Sequence, residues 1–180
     1  MSQENGLVPG PELGPAGAQA RTIATMGNSE NIGVGALVGY AASRIMDQAT
    51  TWFYASQTEE SKRREEELAP GGALVQMGKQ LGGAVGRDLT DEEAGRVGLA
   101  VHRTLGASYG IAASALIRRG TPPLAAGLVV GALAFVLVDE GTAISQVTDY
   151  PVESHLRGVV GHGAFGLAAG ILLSLIDDFD

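Results

Sequence analysis

Between Leu124 and Val138 the chain runs fifteen residues without one polar side chain, and Asp139 and Glu140 follow immediately. Fifteen residues are too few to cross a hydrocarbon layer of about 30 Å, which takes roughly 20 at about 1.5 Å each. A helix continued through the two acids to Ile144 is long enough, and it sets both carboxylates just inside the membrane edge. Pro122 and Pro123 close a basic turn of Arg118 and Arg119 just before it. The run reads as an apolar membrane helix with an acidic foot.

Three other segments follow the same design, so the expected spans cover about residues 32–53, 95–117, 123–144 and 156–176. One long and two short connections suit an antiparallel arrangement, and the expected fold class is all-α, an integral membrane four-helix bundle. Glycine makes up 27 of the 180 residues and aromatics only 5 %, and the glycines fall four apart inside the apolar runs. An interior glycine costs a helix about 1 kcal/mol against alanine, whereas membrane helices use such stripes to pack backbone to backbone. The mean hydropathy of +0.15 averages these runs with polar ends and a charged insert. With no cysteine, disulfides, thiolate metal sites and thiol nucleophiles are excluded. A net charge of −8 argues against nucleic acid as a partner. The expected partners are a lipid bilayer and further copies of the chain, held through the glycine stripes.

Residues 1–30 are rich in Pro, Gly and Ala without a period and read as a disordered tail; Met1–Ala24 lacks the basic head and apolar core of a cleavable signal. Asn28, Ser29 and Asn31 offer caps for the first span. Inside that span Arg44 either snorkels or pairs with Asp47 one turn on. Residues 54–92 form the insert. TEESKRREEEL in it reads as a solvated charged helix, and Pro70-Gly71-Gly72 breaks it. Leu74, Met77, Leu81 and Val85 then recur at helical spacing, the pattern of a short amphipathic helix on the membrane surface or capping the bundle. Basic residues do not decide the orientation. The insert carries more of them, but Arg118 and Arg119 occupy the shorter loop, where their weight is greatest.

Shifting the chain by 92 residues lays the first span on the third. Gly35, Gly39, Asp47 and Thr50 then meet Gly127, Gly131, Asp139 and Thr142. A shift of 60 lays the second span on the fourth, and Glu93, Gly98, His102, Gly106 and Gly110 meet Glu153, Gly158, His162, Gly166 and Gly170. Glycine matches are cheap in such a chain, but only three histidines exist and two of them coincide. The pattern is that of a duplicated hairpin, a parallel repeat with an insertion in its first copy. Asp47 and Asp139 each lie 15 residues into their helices, about 22 Å along the axis. His102 and His162 begin the returning helices, so all four residues are expected in one layer near one face. Each imidazole shares the stripe its glycines use, which aims it inward.

Ionisable groups inside a membrane mark a functional site by default. On one reading Asp47, Asp139, Glu140, His102 and His162 exchange protons or hold a cation, with Glu93 and Glu153 at the mouth. Imidazole suits this because it changes charge near neutral pH. On a second reading the Asp–His pairs only lock two hairpins together. A third is a His/carboxylate metal or haem site, although carboxylates crowd both imidazoles and no resident cofactor is expected. His155 is expected to cap or border the fourth helix. No triad spacing or phosphate loop supports an enzyme: GVGALVG lacks the Lys-Ser/Thr ending and follows no strand.

The segments GALVGYAASRIMDQ, HRTLGASYG, GLVVGALAFVLVDEG and ESHLRGVVGHGAFG resemble the YagU-type family of small bacterial inner-membrane proteins over residues 31–176. The resemblance implies an integral four-helix protein of the bacterial inner membrane, of largely unassigned function and linked to acid or envelope stress. It supplies no catalytic residues.

Overall fold

The computed structural model describes residues 15–139, 141 and 150–177, with side chains from residue 31 to residue 176 of those ranges. All regular structure among them is helical: α1 (Pro15–Ser56), α2 (Glu59–Leu68), α3 (Ala73–Ala84), α4 (Asp91–Ile117), α5 (Pro123–Ala134), a π turn (Phe135–Asp139) and α6 (Val152–Asp177). α1 thus takes in residues 15–30 of the stretch expected as a tail, starting at a proline, which suits a first helical position because it has no N–H to leave unbonded. Glu140 and Thr142, both named in the sequence reading, lie outside the described residues.

The four long elements form a ring. α1 packs on α4 and α6, and α5 packs on α6 and α4. Each neighbour runs antiparallel, because as numbers rise along α1 from Gly35 to Asp47 they fall along α4 from Ile111 to His102. The turn from α4 to α5 closes at Gly120, whose φ of +90° lies in the left-handed region that glycine enters without a Cβ clash. Pro123 then opens α5.

What brings these helices together is the missing side chain. A Cβ on Gly35 would stand 2.9 Å from the Ile111 Cα, and one on Gly39 equally close to the Gly110 Cα and nitrogen. On the other hairpin, a Cβ on Gly127 would stand 2.6 Å from the Gly170 nitrogen, and one on Gly131 2.6 Å from the His162 carbonyl. Gly106 faces Ser43, and Gly166 faces Gly127 and Leu128. All eight expected packing glycines therefore meet partners within the chain, and contacts between copies would need another surface.

The interior built this way is narrow. Its lining is Ala42, Ala113, Ala126, Ala134 and Ala169, with Val38, Val130, Phe165 and Leu173 as the larger members. Ser43 is the largest side chain that is completely enclosed. Leu37, Trp52, Leu133, Val136, Leu137, Leu167 and Ile171 all face outward. Bulk is outside and backbone is inside.

Among the described residues one helix, Val152–Ile176, is long and apolar enough to cross a membrane. Pro123–Asp139 is apolar but shorter, and the expected end of that span at Ile144 lies outside the described residues. The expected spans in α1 and α4 are interrupted by charge, at Arg44 and Asp47 in one and at Arg103 in the other. Length and hydropathy thus carry one span of the expected four.

The insert differs from its expected form in detail. α3 lies against α4 through Gly78 and the Leu74 backbone, so the first half of the Leu74–Val85 stripe meets the bundle and the second half does not. A Cβ on Gly78 would meet the Ala94 Cα at 2.6 Å, while Leu81 and Val85 remain exposed. Glycine again wins the contact because it permits the closer approach. Glu93 closes a capping box at the start of α4, with its carboxylate accepting from the Thr90 N–H and hydroxyl, each at 2.9 Å. Those bonds from Thr90 hold the Glu93 carboxyl below its ordinary range. A lowered folded-state value means the carboxylate form is the one that stabilises. Its contribution is present above the ordinary value of 4.5 and is lost as pH falls through the lower folded value. We expect α4 to fray at its first turn under acid, and Glu93→Gln to fray there at neutral pH, read by amide exchange at Asp91–Ala94.

Candidate functional site

Where α1, α4, α5 and α6 converge at the insert end, a cavity of ≈ 280 Å³ opens. Asp47, His102, Asp139 and His162 all line it. A narrower space of ≈ 30 Å³ continues between the helices past Ser43, Tyr109 and Phe165, sharing Met46, His102, Val138 and His162 with the first. The four residues expected in one layer are thus placed around one void.

The first pair is held firmly. His102 Nε2 lies 3.1 Å from Asp47 Oδ1, and Arg103 Nη2 bonds the other carboxylate oxygen. Arg103 Nη1 donates to the Ser43 hydroxyl at 2.8 Å, and that hydroxyl donates to the Tyr40 carbonyl at 2.7 Å. Asp47 therefore pairs across the helix contact and not with Arg44, which is exposed. Position 163, which matches Arg103 in the sequence alignment of the hairpins, is a glycine with open space around it.

The second pair has another geometry. His162 Nδ1 lies 3.1 Å from the Gly158 carbonyl and 3.4 Å from Asp139 Oδ2. A carbonyl only accepts, so Nδ1 carries the proton and Nε2 is the basic nitrogen of the neutral ring. In His102 the committed nitrogen is Nε2, and Nδ1 is left basic. Phe135 meets the His162 ring edge-on at 5.9 Å. Gly158 makes the room: the Asp139 carboxylate lies where a side chain at 158 would go. At the matching Gly98, the backbone of Leu74 in α3 fills that space instead. The π turn, with bonds that skip five residues rather than four, brings Asp139 to this position; such turns recur at functional sites.

The cavity's outer wall comes from the insert. Glu65 from α2 and Leu74 and Met77 from α3 face Tyr150, Ser154 and Arg157. Arg157 Nη1 lies 3.0 Å from Glu65 Oε2 and 2.9 Å from Gln57 Oε1, its Nη2 bonds Glu65 Oε1, and Ser154 donates to Glu65 at 2.9 Å. Glu65 belongs to the charge run expected to be solvated, yet its side chain is only 12 % exposed. Burial raises the Tyr150 phenol above its usual value, and the Glu65 carboxylate adds to that while Arg157 offsets part of it.

Glu93 and Glu153 were expected at the mouth of the cluster, but they work as caps. Glu93 belongs to the capping box of α4, and Glu153 accepts from the Thr58 N–H and hydroxyl at 3.2 Å, at the start of α2. Sequence reasoning missed Arg103, Arg157 and Glu65. An arginine inside an apolar span was itself the signal for the first. His155 lies on the cavity wall. No group of three or more metal-binding side chains converges among the described residues. No protein-family model, curated protein or solved structure matches the chain.

Proposed function

We propose that the chain is an integral membrane bundle of two duplicated hairpins, whose Asp/His layer takes up and passes protons or small cations. One observation carries the reading: both Asp–His pairs line a single cavity at one end of a bundle with small residues inside and large apolar residues outside. That size gradient is opposite to what water favours, since burying a leucine or isoleucine side chain stabilises a soluble fold by roughly 1.5–3 kcal/mol. In lipid the outer residues need no burial, and the glycine contacts gain from dispersion and close backbone approach. Pairing Arg103 with Asp47 lowers the cost of the two charges inside α1 and α4. The matching glycine contacts of the two hairpins support duplication, and the proposed family and compartment remain the YagU type and the bacterial inner membrane.

Each imidazole commits one nitrogen to an oxygen and leaves the other basic. A proton added to either ring is then shared with a carboxylate already in place. The second reading, a purely structural lock, draws on the first pair, where Arg103 and His102 together occupy both oxygens of Asp47. The test is reconstitution of the wild type, His102→Gln, His162→Gln and the double variant in liposomes. Loss of proton or potassium flux with an unchanged elution profile is the expected result. Unchanged flux overturns the functional reading, and dissociation with misfolding supports the lock. Release of the protein by an alkaline carbonate wash overturns the membrane assignment itself.

A further inference from the structure

The two helices of the insert are held to the bundle by different means. α3 is seated by backbone: a Cβ on Gly78 would stand 2.6 Å from the Ala94 Cα, and one on Gly98 3.0 Å from the Leu74 Cα. α2 contains no glycine and one apolar side chain, Leu68, and the residues it buries are Ser61 and Glu65. Glu65 is the α2 residue on the cavity wall. Arg157 of α6 clasps it: Nη1 lies 3.0 Å from Glu65 Oε2 and 2.9 Å from Gln57 Oε1, and the guanidinium stands 5.2 Å from the centre of the Tyr54 ring. Ser154 donates to the same carboxylate at 2.9 Å. One turn earlier, Glu153 accepts from the N–H and hydroxyl of Thr58, the cap of α2. These ties all come from residues 153–157 of α6. Polar contacts give way to water at a small net loss each, whereas α3 must be pulled off a backbone contact. Beyond α2 the chain passes through Gly71 and Gly72, with φ of +77° and +84°, where glycine can change conformation without a Cβ penalty.

We propose that α2 is a hinged lid on the cavity, closed by the Glu65–Arg157 pair, and that its lifting admits water and solutes to the Asp/His layer. This rests on the reading of that layer above and deepens it by adding its regulation. α3 stays seated as α2 lifts, pivoting at Gly71 and Gly72.

The native chain has no cysteine, so one introduced thiol reports on the cavity without background. Met46→Cys places it on the cavity wall in α1, and Val85→Cys places an exposed control on α3. The full chain in lipid nanodiscs is labelled with two water-soluble methanethiosulfonates, one bearing trimethylammonium and one bearing sulfonate. Glu65→Gln is expected to speed labelling of Met46→Cys by both reagents about tenfold or more, the scale of one lost charge-assisted contact, and to leave Val85→Cys unchanged. An unchanged rate overturns the proposal. So does a gain with one reagent and a loss with the other, which reports altered potential without opening. Should Glu65→Gln fail to fold, amide exchange in the wild type decides. A helix of 10 residues is not stable alone in water, so each lifting exposes its amides. Exchange over Lys62–Leu68 is expected about tenfold or more ahead of both α3 and α4, and equal protection overturns the lid. Labelling reads the lid, and proton flux reads the layer beneath it. Accelerated labelling in a protein that carries no flux supports the lid and removes the proton role. Flux in a protein whose labelling ignores Glu65→Gln overturns the lid and leaves the proton role standing.

Discussion

Replacing Gly39 with leucine is expected to abolish the folded bundle. The new Cβ would stand 2.9 Å from the Gly110 Cα and nitrogen, and still closer to the Gly106 carbonyl. These are backbone atoms of a helix, which cannot rotate aside as a side chain can. Overpacking of ordinary cores costs about 1–3 kcal/mol, and a clash against backbone lies at or above the top of that range. α1 and α4 would have to separate along their length, taking Asp47 away from His102. Gly33→Leu on the same helix is the control, because nothing lies within 4 Å of a Cβ there. Thermal unfolding in detergent should show near-wild-type stability for Gly33→Leu and no cooperative transition for Gly39→Leu. Similar curves for the two would mean the glycine contact does not hold the hairpin.

The second large effect is expected at Asp47. Its replacement by alanine strips Arg103 and His102 of their shared carboxylate and leaves the guanidinium, 14 % exposed, with the Ser43 hydroxyl. Breaking a fully buried pair from one side costs about 3–5 kcal/mol, mostly as the penalty of the charge left behind, and with Asp47 itself 36 % exposed the loss here is expected below that range. Removing both charges avoids that penalty, so Asp47→Ala with Arg103→Leu should recover much of the loss. A double variant no more stable than the single one would show that the pair itself, and not the stranded cation, holds the helices. The comparison reads from unfolding midpoints at one pH.

The sequence made the common level of the two acids and two imidazoles legible, because helical rise converts residue counts into depth. It also made the glycine stripes legible, since glycine four apart inside apolar runs has few other uses. It did not reveal which charges pair. Arg44 stands one turn from Asp47 and was the local candidate, whereas the true partner, Arg103, lies 56 residues away. Glu65 was hidden in a run of six charged residues, Lys62–Glu67, and Ser154 and Arg157, 89 and 92 residues on, distinguish it from the others. Amphipathic periodicity marked only part of the contact face of α3: Leu74 meets α4 through its backbone, but Gly78, outside the stripe, makes the other close approach.

The change of winding at Phe135–Asp139 makes unequal partners of two residues that match in sequence. Asp47 and Asp139 coincide when the sequence is shifted by 92 residues, but only Asp139 comes at the end of a π turn. The turn holds one residue more than an α turn, so Asp139 points about 100° away from the bearing an uninterrupted helix would give it. Asp47 accordingly addresses the ε nitrogen of its histidine and Asp139 the δ nitrogen. Neutral rings held in this way are opposite tautomers, and nitrogen chemical shifts should then resolve them as two species.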